Sequence, residues 1–206
     1  MRIVKSAEER KNEILDVAEQ LFAEKGYDNA STNDIIARIG IARGTLYHHF
    51  GSKEEILDAI IDRMTREGIA RAAIIVGSKD MSIDARLVGA LAALNVQSNV
   101  KDEVMEQIHK PQNALLHQKM QEKLLGGVVP LMTKLIEEGI SEGLFNTSYP
   151  SEASEMIMLY ANTAFDENEN LSPEQRINKG KAFIYHAERI LGAKQGSMQE
   201  SLMRFF

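Results

Sequence analysis

Arg43, Gly44, Thr45, Tyr47, His48 and His49 fall within two turns of a short helical segment, 43–50. An arginine fork bonds two acceptors in one plane, hydroxyls and imidazoles donate to phosphate oxygens, and glycine lets the backbone come close to a surface. Together these types suit a polyanion with readable base edges. Thr32 and Lys53 flank them at the starts of two further helices, where unpaired N–H groups and the helix dipole already favour an anion. Taken singly, Tyr47 or His49 reads equally well as an ordinary half-buried side chain. Their joint occurrence just after Gly40 carries the functional reading, while Leu46 and Phe50, spaced i and i+4, read as core.

These residues need three helices to hold them. The first opens on Ser6-Ala7-Glu8-Glu9, a capping box, carries Ile14, Val17, Ala18, Leu21 and Phe22 on one face, and ends at Gly26. A second runs over 33–39 with Ser31 or Thr32 as its cap, Gly40 supplies the turn, and the third follows at once. Ser52-Lys53-Glu54-Glu55 reads as another capping box, opening a fourth helix with Ile56, Leu57, Ile60, Ile61 and Met64 inward. The pattern is a helix-turn-helix. Beyond it, helical periodicity predicts elements at 82–98, 101–109, 112–142, 151–165 and 173–192, with an acidic loop at 166–172 and no alternating strand pattern. The fold class is all-α: a three-helix headpiece at 1–50 followed by a helical-bundle body at 51–206. Within 112–142, Gly126, Gly127 and Pro130 interrupt the apolar face, and the proline predicts a kink or break.

The run Gly-Thr-Leu-Tyr-His-His-Phe-x-Ser-Lys-Glu-Glu beginning at Gly44 resembles the DNA-binding signature of the TetR family of bacterial transcriptional regulators. The resemblance covers about the first quarter of the chain, and Leu135–Phe145, LIEEGISEGLF, is similar to the end of the family's long seventh helix. It implies that Thr32, Tyr47, His49 and Lys53 grip phosphates of double-stranded operator DNA, and that Arg43, Gly44, Thr45 and His48 meet base edges. Two departures concern the entry of the third helix. Ala42 stands where the family often has a capping Ser, whose loss costs about 1 kcal/mol, and Ile39 stands where it often has a small residue.

A net charge of -6 opposes nucleic acid when taken for the whole chain. Its distribution does not: residues 1–53 hold eight Lys/Arg against eight Asp/Glu, with Arg2, Lys5, Arg10 and Lys11 forming a basic arm ahead of an acidic body. The absence of cysteine excludes disulfides, thiol chemistry and Cys-ligated zinc. No apolar run approaches membrane-spanning length and the amino terminus lacks a signal-like centre, so a cytoplasmic protein is expected.

The resemblance further implies a ligand-responsive repressor that dimerises through its last two long helices. Ala153, Met156, Ile157, Tyr160, Ala161 and Ala164 form one apolar stripe, and Ile177, Phe183, Ile184, Ala187, Ile190 and Leu191 another. Facing only their own subunit is the equal alternative from the residues alone. A small-molecule effector pocket is expected where Met105, His109, His117, Met120, Leu124 and Tyr160 converge. The tail, Ser197-Met198-Gln199-Glu200 followed by Leu202 and Phe205, predicts a short capped helix on an apolar surface. Glu106-x-x-His109 has the spacing of a di-iron helix, with Glu103 and His117 as further donors, but such sites need a second copy that the sequence lacks. No catalytic set, metal or cofactor is expected. An all-helical protein-binding module and a helical-bundle enzyme are the alternatives, and operator-sized DNA binding separates them from the leading reading.

Overall fold

The computed structural model describes residues 5–94, 109–110, 113–166 and 171–203. Among these, every regular element is a helix: α1 (Ala7–Lys25), α2 (Thr32–Ile39), α3 (Arg43–His49), α4 (Lys53–Gly77), α5 (Ile83–Leu94), α6 (Ala114–Ser141), α7 (Pro150–Asp166), α8 (Pro173–Leu191) and α9 (Gln199–Leu202). The all-α expectation holds. The helix expected at 101–109 falls outside the described residues but for His109, and so do Glu103, Met105 and Glu106. Two compact units form, Met1–Arg66 with Val96–Met120 and Glu67–Asn95 with Gln121–Phe206. The first unit thus takes in more than residues 1–50, because Ile56, Leu57, Ile60, Ile61 and Met120 belong to its core.

In the first unit, the capping box of α1 forms as expected: Glu9 N–H donates to Ser6 Oγ at 3.2 Å and Ser6 N–H to the Glu9 carboxylate at 2.7 Å. The buried stripe Ile14, Leu15, Ala18, Leu21 and Phe22 faces Ile35 of α2 and Leu46 of α3 within one core. Each of the large side chains contributes about 1.5–3 kcal/mol by leaving water. Ser31, with Asp34 closing the box, caps α2. Gly40 then turns the chain with φ 74 and ψ 37, a left-handed conformation in which a Cβ would be strained. Ala42 precedes α3 without a side-chain cap bond. At α4 the expected box is displaced by one residue: Glu55 N–H donates to Ser52 Oγ, but the Glu55 carboxylate accepts from Gly51 N–H at 2.7 Å. Arg63 forks onto Asp16 and Glu19 of α1 at 2.6 and 3.1 Å. Lys110 pairs with Asp28 at 2.9 Å, and Leu116 and Met120 pack on the same core.

The second unit is built around Ala72 and Val76 of α4, Ile83, Leu87 and Ala90 of α5, Val128, Met132, Leu135 and Ile136 of α6, and Ile184 and Leu191 of α8. Of the kink or break expected at Pro130, the break does not occur, for α6 runs continuously through it. Beside the proline, the Val129 carbonyl accepts from Thr133 Oγ1 at 2.8 Å and from the buried Ser154 Oγ of α7 at 3.2 Å. Gly127 lies against Ile69 so closely that a Cβ there would overlap its side chain. Arg86 is buried, donates to the Val76 carbonyl near the end of α4, and reaches both Glu138 oxygens at 2.6 and 2.8 Å. With Lys79 at 2.5 Å as a second partner, the Glu138 carboxyl is pulled down to about 2, the Arg86 hydrogen bond being the largest cause.

The tail departs from its expected cap. Met198, not Ser197, precedes α9 and makes no side-chain cap bond. The buried carboxylate of Glu188 accepts instead from Gly196 N–H at 2.7 Å and Met198 N–H at 2.9 Å. Met198 and Leu202 are buried in the second unit's own core.

Candidate nucleic-acid interface

Core packing of Leu46 and Phe50 turns the rest of α3 outward. Arg43, Gly44, Tyr47 and His48 are exposed, Thr45 and His49 half-buried. A Cβ at Gly44 would meet nothing within 4 Å, so the backbone there is open to close approach by a partner. Thr32 Oγ1 at the start of α2 lies 3.3 Å from the Tyr47 hydroxyl, and the Arg43 guanidinium lies 5.3 Å from the Tyr47 ring centroid. Hydrogen bonding to Thr32, and then to Arg43, holds the Tyr47 phenol below its ordinary value. Three of the eight expected DNA-contacting residues therefore form one exposed polar group bridging α2 and α3.

His48 and His49 stack edge to face at 5.3 Å. Burial, then the nearby charges of His48, Lys11 and Arg10, pushes the His49 imidazole below its ordinary value of 6.5. Lys11 of α1 sits 5.7 Å from the centroid of the Phe50 ring. Lys5 and Arg10 both pair with Glu13, so part of the expected basic arm is neutralised on its own helix. Arg2 lies outside the described residues.

Lys53 stands at the first position of α4, but its ammonium is committed locally. It donates to the Tyr27 and Ala30 carbonyls at 2.8 and 3.1 Å and lies 4.2 Å above the Tyr27 ring. An ammonium has three donors, so one is left for a phosphate. Lys53 ties the loop between α1 and α2 to α4, a task that its position in sequence did not reveal.

The remaining expected residues are spread over the fold. His109 and His117 meet edge to face at 4.9 Å. Met120 is buried in the first unit's core, while Leu124 packs against the second and Tyr160, 52% exposed, stacks on Phe183 at 5.9 Å. Neither unit holds all of the residues expected to line a pocket. Of those expected at a dimer interface, Ala153 and Ala187 are buried in the chain's own fold, and Ile157, Phe183 and Ile190 pack against its core. Met156 is 59% exposed, and Ala161 and Ala164 are half-buried. Sequence reasoning missed the Arg86–Glu138 clasp, for which the one available signal was a lone arginine in the otherwise apolar stretch Leu87–Leu94 and its approach. Among the described residues, no group of three or more His, Cys, Asp or Glu is placed to hold a metal, and no helix is long and apolar enough to cross a membrane.

Two family models match this layout. Residues 14–60 match bacterial regulatory proteins of the tetR family, and residues 96–187 match the tetracyclin repressor-like C-terminal domain. The chain belongs to the TetR family. This TetR-family chain is 48% identical over 52 residues to the HTH-type transcriptional repressor KstR2 of Rhodococcus jostii, covering 25% of this chain and 26% of the relative. It is 40% identical over 65 residues to the HTH-type transcriptional regulator UidR of Escherichia coli, covering 32% and 33%. These matches thus span about a quarter to a third of the curated relatives' length. The fold extends the likeness over nearly the whole chain: RolR in complex with resorcinol has a TM-score of 0.63 at 19% identity, with 96% of this chain and 95% of that one covered. A TetR/AcrR-family regulator of Thermobifida fusca has a TM-score of 0.57 at 23% identity, covering 89% and 95%.

Proposed function

We propose that this chain is a sequence-specific DNA-binding repressor that acts in the cytoplasm as a homodimer and releases its operator when a small organic effector binds the body. The observation that carries the reading is the exposed group on α2 and α3, where Thr32 and Tyr47 hydroxyls and the Arg43 fork sit beside an open Gly44. In this reading Thr32, Tyr47, His49 and the remaining donor of Lys53 hold phosphates, while Arg43, Thr45 and His48 address base edges across Gly44. The names of KstR2 as a repressor and of RolR as a resorcinol complex support the regulatory class and the kind of effector.

One headpiece reads too few base pairs for a specific site, and twofold pairing doubles the contacts. Met156, Leu159 and Tyr160 on α7 and Ile177 and Tyr185 on α8 are all exposed, an apolar set that supports pairing with a second copy of the chain. The effector shifts the protein toward release only as far as it binds that state more tightly than the DNA-bound one.

Selection from random duplexes with the purified chain tests the reading. A twofold-related consensus is expected. Arg43→Ala then weakens the selected site by about 1–3 kcal/mol and relaxes preference at one base pair per half-site. Equal weakening on all sequences removes base reading from Arg43. Met156→Glu with Tyr160→Glu is expected to sediment as a folded monomer that no longer binds the full site, and an intact dimer removes this face as the interface.

A further inference from the structure

We propose that Lys11 of α1 and His49 of α3 form a single phosphate-binding subsite, and that His49 joins it by taking up one proton per protomer as DNA binds. The inference rests on the DNA-binding reading above and adds a partner residue and a proton to it.

The corner is rigid where it must be. Phe50, 4% exposed, anchors the end of α3 in the core, and the Lys11 ammonium lies 5.7 Å from its ring centroid, next in sequence to His49. The charged and titratable groups facing His49 are His48 on its own helix and Arg10 and Lys11 on α1. Arg10 is compensated by Glu13, which also holds Lys5. Lys11 is exposed and makes no ion pair among the described residues, so the corner carries an uncompensated cation beside two imidazoles. An anion of phosphate size fits that charge pattern, whereas a carboxylate from the chain itself does not occupy it.

Such surroundings disfavour the His49 imidazolium in the free protein, burial first and then the neighbouring His48, Lys11 and Arg10 all lowering its hold on a proton. A DNA phosphate reverses the balance. Its negative charge cancels Lys11 and favours the imidazolium, so the value in the complex rises above the value in the free protein. A group bound more tightly to its proton in the complex makes the complex tighter as pH falls through the interval between the two values. The balance is one proton drawn from solution for each His49 that meets a phosphate, with no covalent change. A site using lysine and arginine alone shows no such dependence, its affinity being flat over the same interval.

The test uses the full chain and a fluorescently labelled duplex of mixed sequence at low salt, because phosphate contacts do not depend on knowing the operator. Affinity from anisotropy is expected to rise about tenfold per protomer between about pH 8 and about pH 6. His49→Gln, which keeps a donor but cannot titrate there, flattens the rise while staying folded by its melting curve. His48→Gln keeps the rise. Lys11→Met weakens binding at both ends and lowers the salt slope by about 1 per protomer. A flat wild-type profile, or a rise that survives in His49→Gln, overturns the proposal while leaving DNA binding in place. Failure to bind any duplex at either pH overturns the DNA-binding reading itself.

Discussion

Gly126 and Gly127 are neighbours in the middle of α6, and replacing each with alanine is expected to move stability in opposite directions. In a helix interior the change from glycine to alanine contributes about 1 kcal/mol through the lost backbone freedom of the unfolded chain. At Gly126 an added Cβ meets nothing within 4 Å, so the whole of that gain is retained. At Gly127 the same Cβ overlaps the Cδ1 of Ile69 and lies 2.9 Å from its Cγ1 and 3.0 Å from its Cγ2. Ile69 is branched at Cβ and stiff about its first torsion, so three of its atoms do not clear the site by one rotation. Forcing a methyl into such packing costs about 1–3 kcal/mol, which exceeds the propensity gain. The two variants are thus separated by about 1–3 kcal/mol, or about 3–10 °C in melting temperature for a chain of this size. Thermal melts of both variants followed by circular dichroism read the difference. Ile69→Val removes the atom in closest contact, so Gly127→Ala is expected to be less harmful in that background than in the wild type. A Gly127→Ala protein that melts at or above Gly126→Ala would refute the close approach.

Other outcomes follow from the two units. Lys53→Met removes two charged hydrogen bonds and a ring contact, and because Tyr27 and Ala30 are both buried their carbonyls lose that donor at a loss of about 1–3 kcal/mol in urea denaturation; unchanged stability would remove its tying role. The Glu138 carboxyl, held at about 2 by Arg86 and Lys79, is depressed from its ordinary 4.5, so its stabilisation is present above that range and lost as pH falls toward 2. Glu138→Gln should show a shallower loss of structure over this acid interval, and an identical acid profile counts against the clasp. Leu202→Ala, at a position 4% exposed in the chain's own core, is expected to cost about 2–5 kcal/mol yet leave the sedimenting species unchanged; dissociation without loss of fold would mean that α9 spans two subunits.

Local physics was the legible part of this sequence. The caps at Ser6 and Ser31, the left-handed turn at Gly40 and the inward pair Leu46 and Phe50 depend on neighbours a few residues apart, and each appears where the spacing puts it. What failed to be legible depends on partners far along the chain. Ser197 has the residue types of a cap, but Glu188 of α8 reaches the same backbone first. Lys53 has the place of a phosphate ligand, yet carbonyls more than twenty residues earlier claim two of its donors. The stripe on α7 has one period in sequence and two destinations in space, since Ala153 turns inward while Met156 and Tyr160 face out. Pro130 marks a missing donor that left a kink or a break open in the sequence, and α6, packed on the second unit's core, runs through it without a break.

The pairing of Arg43 with Tyr47 has a consequence for how forgiving this protein is of its target. A long guanidinium side chain usually enters a groove at the expense of its rotamer freedom, and if it finds no acceptor it stays there unsatisfied. Here the side chain has a resting place on the Tyr47 ring, which Thr32 steadies from the other side. If Arg43 reads guanine, it does so by exchange, leaving one set of partners for another of similar kind. At a site without guanine it folds back and nothing is stranded. On the proposed base-reading role, the penalty for a wrong base would be softened from a buried, orphaned donor to a contact merely not made, and degenerate half-sites would come within reach of the same protein.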